Sequence, residues 1–329
     1  MSFSEVTLRV LVSVLLYPGL LFLILTGLLA EGWRRKFVAR AEGRIGPSLR
    51  QPFYDVRKYL GRIAVVPGTT KANDPRLVAK SELTRAGVFG GPLVGVGALV
   101  MATVLLPLPG NLWPFFSVRL AGERPLGLDL LGVALLLQIP ALVTIILGTI
   151  ASSIYAQLAA SRTAQLLVAY MTPYLAAVFG PAIVLGTLDL KLLAASTSPT
   201  MLAVKFGCGF IWLVCQPAQL RTRPLAASRG ETLEGVTTNI GGAPLAMYKL
   251  MNWVERMAAA LLFAALFVPL GASNPAVFIG AVLLDLGLVG VLEGLLSQVR
   301  LKDALDFYLR FASVGGAVWL LVLVLLLRA

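Results

Sequence analysis

Residues 31–62 read EGWRRKFVARAEGRIGPSLRQPFYDVRKYLGR, directly after an apolar run from Val10 to Ala30 that is long enough to cross a bilayer. The stretch is dense in Arg and Lys, yet it keeps an apolar face and is interrupted at Gly46-Pro47. A segment this charged does not span a membrane, and one so apolar on one side is not a free loop. It reads as a basic, amphipathic element lying at the membrane surface. That places a binding platform on one face of a membrane protein.

Composition supports the membrane. The 329 residues are 58% hydrophobic and 13% charged, with a mean hydropathy of +0.85. A soluble domain carries about twice that charged fraction. The net charge is +12, but the basic residues gather at the ends of apolar runs. Cytoplasmic anchoring of membrane helices explains that placement better than nucleic-acid binding does. There is no His, and the two Cys, 208 and 215, lie in one apolar run. Seven apart, they share a helix face and read as small buried hydrophobes. Two thiols cannot supply the four ligands of an iron–sulfur cluster, and without imidazole a zinc or haem site is not expected. Cofactors are therefore expected on partner chains. The first apolar run is too long for a signal-peptide core and reads as a retained helix.

We expect an all-α polytopic protein forming a single membrane domain over 1–329, with eight spans. They are Thr7–Ala30, Gly87–Leu108, Leu128–Ile150, Thr163–Leu185, Thr200–Ala218, Leu245–Leu270, Ala276–Leu296 and Leu309–Leu327. No convincing internal repeat is visible. The first loop, residues 31–85, holds 13 basic and five acidic residues, and the fifth and seventh loops add Arg221, Arg223, Arg229, Arg300, Lys302 and Arg310. The opposite loops hold only Arg119, Arg124 and Lys191. This asymmetry puts the odd loops in the cytoplasm and both termini outside the inner membrane. The fifth loop, residues 216–244, is too long for a simple turn and is expected to pack against something. Pro140, Pro173, Gly180 and Pro181 fall within spans, where they either serve packing or break a helix beside a polar cavity.

Ionisable side chains inside spans are costly and are functional candidates by default. They are Lys205, Glu255, Arg256, Asp285 and Glu293. Glu255 and Arg256 point about 100° apart and do not pair with each other, whereas Asp285 and Glu293 share a face two turns apart. The latter two either mark a proton path or pair with basic residues on other helices. No nucleophile–His pair and no Walker-type loop is present, so catalysis by the chain alone is not expected.

Arg44-Ile45-Gly46-Pro47, followed by Gln51-Pro52-Phe53-Tyr54-Asp55-Val56-Arg57-Lys58, resembles the first cytoplasmic loop of one family. This is the membrane subunit at the arm junction of respiratory complex I and of energy-converting nickel–iron hydrogenases. It comprises NADH dehydrogenase subunit 1 and formate hydrogenlyase subunit 4. The string EGWRRKFVAR…QPFYDV is most similar to the hydrogenase branch, and Leu292-Glu293 followed by Val299-Arg300-Leu301-Lys302-Asp303 resembles that branch's later cytoplasmic region. A weaker match runs from Glu231 to Gly235 and on to Lys249. The resemblance covers essentially the whole chain. It implies docking of a soluble electron-transfer module through Arg44, Gly46, Pro47, Gln51, Pro52, Phe53, Asp55, Arg57, Lys58, Arg300 and Lys302. It also implies partners: a nickel–iron large-subunit-like protein, iron–sulfur subunits that carry the clusters, antiporter-like membrane subunits, and lipid.

The departures are informative. Where the family has a Glu in a G-Y-E-x-P context, this chain has Met171 within Ala169–Pro173; later acidic positions fall at Asn239 and at Met251-Asn252. The implied proton path is then degenerate, reduced to Glu231, Glu234, Asp285 and Glu293. A free-standing secondary transporter or channel is the alternative. It would show inverted symmetry and paired broken helices.

Overall fold

The computed structural model describes residues 12–66, 75–109, 129–151, 153–225, 235–269 and 274–328. The chain is built from helices; among the described residues the only β pairing is an isolated antiparallel bridge between Val65 and Gly241. Helix α1 covers Leu20–Ala41 and α2 covers Gln51–Leu60. Then come α3 (Pro75–Leu105), α4 (Asp129–Leu136), α5 (Ile139–Ile150) and α6 (Ile154–Leu185). A short α7 (Leu190–Ala195) leads to α8 (Pro199–Gln219), a 3-10 turn (Gly235–Asn239) and α9 (Ala243–Leu266). The chain closes with α10 (Pro275–Leu295), α11 (Leu301–Asp306), a π-helical turn (Phe307–Ala312) and α12 (Ser313–Arg328).

Seven helical segments among the described residues are long and apolar enough to cross a bilayer, confirming a multi-pass, all-α membrane protein. The eighth expected span, Leu245–Leu270, is α9. Its 24 residues reach about 36 Å, enough to cross. Lys249, Glu255 and Arg256 keep it from the apolar standard that the others meet. These charges are tolerated because α9 is the central helix. It packs on α1, α3 and α10, and every residue from Trp253 to Leu266 is buried. A helix buried on all sides must find its polar partners in other helices.

One expectation needs revision. The charged stretch after Ala30 was expected to leave the first span and lie on the surface from Glu31 onward. Instead α1 runs on to Ala41, because Glu31, Arg34 and Arg35 satisfy one another and residues on other helices, so their charges do not end the helix. The surface element is α2 alone, with Pro52 in its first turn. Of Pro140, Pro173 and Pro181, Pro140 lies at a break: the third span divides into α4 and α5 around Leu137-Gln138. Pro173 and Pro181 sit inside the unbroken 32-residue α6.

At the break, the buried Gln138 accepts a hydrogen bond from Tyr170 Oη at 2.7 Å. Cys208 and Cys215 are free thiols, both fully buried on α8.

The loops at one end are tied together. Val65 and Gly241 exchange backbone hydrogen bonds of 3.0 and 3.1 Å, joining the first loop to the fifth. Gly242, at φ +69°, makes the tight step that follows; a Cβ there would lie 2.6 Å from the Ile63 carbonyl oxygen. Val299 N–H donates to the Pro224 carbonyl at 2.9 Å, joining the seventh loop to the fifth.

Candidate functional site

The end of α1 is the hub of a buried ionic cluster. Glu31, 2% exposed, accepts from Arg34 at 2.7 and 2.8 Å, from Arg35 at 2.8 Å, and from Arg256 on α9. Arg34 reaches onward to Glu293 on α10 at 2.6 Å, and Arg35 to Asp55 on α2 at 2.6 Å. Gln51 donates to the other Asp55 oxygen at 3.2 Å. One carboxylate thus ties α1 to α9 directly, and through its two arginines to α2 and α10. Beside it, Arg221 donates to Glu255 and, at 3.0 Å, to Asn252. Burial opposes the charge on Arg221, but the Glu255 carboxylate outweighs it and raises the guanidinium pKa. Adjacent Glu255 and Arg256 thus pair in different directions, as their angular separation requires.

Lys249 completes the group. Its Nζ donates to Tyr59 Oη at 3.0 Å and stacks over that ring at 4.6 Å. Five cations, Arg34, Arg35, Arg221, Lys249 and Arg256, therefore meet four carboxylates, Glu31, Asp55, Glu255 and Glu293. Lys249 is the cation paired with an aromatic hydroxyl rather than a carboxylate.

A cavity of about 230 Å³ lies within this cluster. All five cations line it, together with Thr222, Asn252 and Trp253, and Glu31 is its one acidic wall residue. Arg221 Nη1 and Thr222 Oγ1 are buried there with no hydrogen-bond partner among the described residues. A second cavity, about 540 Å³, is apolar, with walls formed by α1, α9 and α10. Leu29, Ile279 and Leu283 on its rim are 50%, 59% and 47% exposed, so it opens on the lipid-facing side of the bundle.

The residues expected to dock partners fall at this same end. Arg44 is exposed and pairs with Glu42; Gly46 is half-buried and Pro47 exposed. On α2, Pro52 is buried, Phe53 and Asp55 are half-buried, and Gln51, Arg57 and Lys58 are exposed. Arg300, preceding α11, and Lys302 within it are exposed.

Among the described residues, the two members of the expected acidic path, Asp285 and Glu293, take different partners. Glu231 and Glu234 lie outside the described residues. Glu293 is drawn into the α1 cluster by Arg34. Asp285, fully buried, accepts from Gln216 at 2.7 Å, so its partner is an amide rather than a cation. Asn252 holds Arg221, and Met171 is half-buried on α6. Lys205 is spent on backbone: Nζ donates to the Ala194 and Ser196 carbonyls at 3.3 and 2.8 Å, where α7 ends.

The hub itself was not singled out from sequence. The available signal was Glu31 with Arg34 and Arg35 three and four residues on, a spacing that stacks all three on one helix face.

Comparison with known proteins agrees with this architecture. The chain is 26% identical over 277 residues to an NADH-quinone oxidoreductase subunit of Bacillus cytotoxicus, covering 81% of this chain and 75% of that protein. The counterpart in Bacillus cereus is 26% identical over 278 residues, with 82% and 75% covered. A chain of the membrane-bound sulfane sulfur reductase, an archaeal respiratory membrane complex, shares the fold. Its TM-score is 0.76 at 20% identity, and the match covers 97% of this chain and 99% of that one. A family model described as NADH dehydrogenase matches residues 14–324, and over that span the chain belongs to the NADH dehydrogenase subunit 1 family.

Proposed function

We propose that this chain is the membrane subunit of a respiratory-type oxidoreductase complex, non-catalytic alone, on whose cytoplasmic face a soluble electron-transfer module docks. The observation that carries the reading is the Glu31 cluster. It fixes amphipathic α2 to three membrane helices, and the bridge at Val65–Gly241 adds the fifth loop to the same surface. A rigid basic surface with half-buried apolar side chains suits a partner that is steered by charge and held by buried area. The partners we expect are iron–sulfur subunits, which carry the redox cofactors, a nickel–iron large-subunit-like protein, and antiporter-like membrane subunits. The odd loops face the cytoplasm and both termini lie outside, by the Lys and Arg asymmetry. The chain contributes a degenerate proton path, since Glu293 is committed to Arg34 and neutral residues stand at Met171, Asn239 and Asn252.

The test is co-purification of the soluble partners with an Asp55→Ala, Arg57→Ala double variant. We expect the partners to be lost while the chain stays in the membrane. Undiminished partners at both low and high salt would refute the docking assignment.

A further inference from the structure

We propose that Asp285, Gln216 and Gln219 form a binding site for one sodium ion, midway through the membrane. Asp285 is the central residue of the 21-residue α10, so about 15 Å of helix separates it from either end. It is fully buried. Among the described residues it accepts one hydrogen bond, from Gln216, and pairs with no cation.

The cations packed into the bundle are committed elsewhere. Arg34 holds Glu31 and Glu293, Arg221 holds Glu255, and Arg256 holds Glu31. Lys205 lies on the same face of α8 as Gln216, but its ammonium is bonded to carbonyls where α7 ends. Asp285 is thus a carboxyl group at membrane depth without a counter-charge among the described residues, a state that costs free energy unless something neutralises it.

The unpartnered atoms beside it include three oxygens. Gln216 Nε2 donates to Asp285 Oδ2 at 2.7 Å, which leaves Asp285 Oδ1 and Gln216 Oε1. Both are buried with no hydrogen-bond partner among the described residues. Gln219 stands one turn beyond Gln216 on the same face of α8 and is 1% exposed; its Oε1 and Nε2 are likewise unpartnered. A proton on Asp285 would remove the charge, but it can satisfy only one acceptor and would leave an amide oxygen unpaired. A cation draws on all three oxygens at once.

Charge and ligand type select the ion. One carboxylate balances a single positive charge, whereas a divalent ion would leave the interior with a charge to spare. Carboxylate and amide oxygens suit hard cations rather than transition metals. A carboxylate oxygen carries more charge than an amide oxygen, which favours the smaller sodium over potassium. The site lies inside the bundle and does not depend on the docking of a soluble partner.

The test uses the chain purified in detergent with whatever subunits accompany it, and bound radioactive sodium is counted after equilibrium dialysis. We expect the wild type to hold one sodium more than Asp285→Asn, which keeps the hydrogen bond with Gln216. The subtraction removes sodium held by accompanying subunits. Gln219→Leu should weaken this one sodium about tenfold, the effect of losing a supporting group at a metal site. The Gln219 side-chain amide has no hydrogen bond among the described residues whose loss would disturb the fold. Potassium at equal concentration should leave the sodium in place. Equal sodium counts in the wild type and Asp285→Asn would show that a proton alone neutralises Asp285, and would overturn the proposal. Unchanged sodium affinity in Gln219→Leu, the variant that carries the test should Asp285→Asn fail to assemble, would also overturn it, as would full displacement of sodium by equal potassium.

Discussion

Glu31→Gln is the most discriminating single change. The substitution keeps the volume and removes one charge. In the wild type, four hydrogen bonds from three guanidinium groups converge on the two carboxylate oxygens. A glutamine oxygen accepts part of this set, but its amide group then points N–H donors at other donors. Removing one partner of a buried ion pair costs about 3–5 kcal/mol, because the remaining charges stay buried without compensation. For a chain of this length the expected fall in melting temperature is roughly 6–10 °C, scaling from about 2 °C per kcal/mol. Cys208 and Cys215 provide the readout: both thiols are fully buried, so thiol-reactive labelling at these two positions, followed by mass spectrometry during heating, reports the opening of the bundle. Glu42→Gln is the control. Its partner Arg44 is 72% exposed, so that change should stay within about 0.5 kcal/mol. If Glu31→Gln melts with the control, the hub holds nothing together and the rigid-platform reasoning fails.

Gly32→Ala should separate α2 from α1, because a Cβ there would sit 2.3 Å from the Leu49 carbonyl oxygen, a backbone atom that can yield only by moving the loop. Faster proteolysis between residues 42 and 50, with the bundle intact, is the expected result; unchanged cleavage would count against it. Reporter fusions after Arg62 and Lys302 should report cytoplasm, and fusions after Lys191 and Ala329 the opposite side. A cytoplasmic C-terminus would reverse the assigned orientation. Glu293→Gln breaks the pair with Arg34 and should reduce assembly more than ion movement, whereas Asp285→Asn keeps a hydrogen bond with Gln216 and should assemble normally. Full assembly and electron transfer with abolished ion translocation in Glu293→Gln would show a working acidic path and refute the degenerate one.

The fold was legible because bilayer thickness imposes a length that apolar runs must meet. The α8 and α10 boundaries, Pro199–Gln219 and Pro275–Leu295, fall within one residue of the spans expected from hydropathy. Legibility failed where charges are compensated by residues far away in sequence. Glu31, Arg34 and Arg35 look like the end of a span, since nothing nearby shows that Arg256, Glu293 and Asp55 will neutralise them. Arg221 likewise reads as a loop residue that marks orientation, and only packing reveals that it is buried against Glu255. The partner of Asp285 was equally hidden, because Gln216 lies 69 residues away and carries no charge to attract notice.

The distance along the chain between Glu31 and Arg256, 225 residues, sets a timetable for the newborn protein. At a synthesis rate of about 5–20 residues per second, the first helix stands in the membrane for roughly 11–45 s before its hydrogen-bonding arginine on α9 has been made. Through that interval a carboxylate and its two neighbouring guanidinium groups must remain near the water boundary. Until α9 arrives, Glu31 has only Arg34 and Arg35 of its own helix as partners in this cluster. A ribosome stalled before residue 256 would leave five spans in the membrane and Glu31 without its partner on α9.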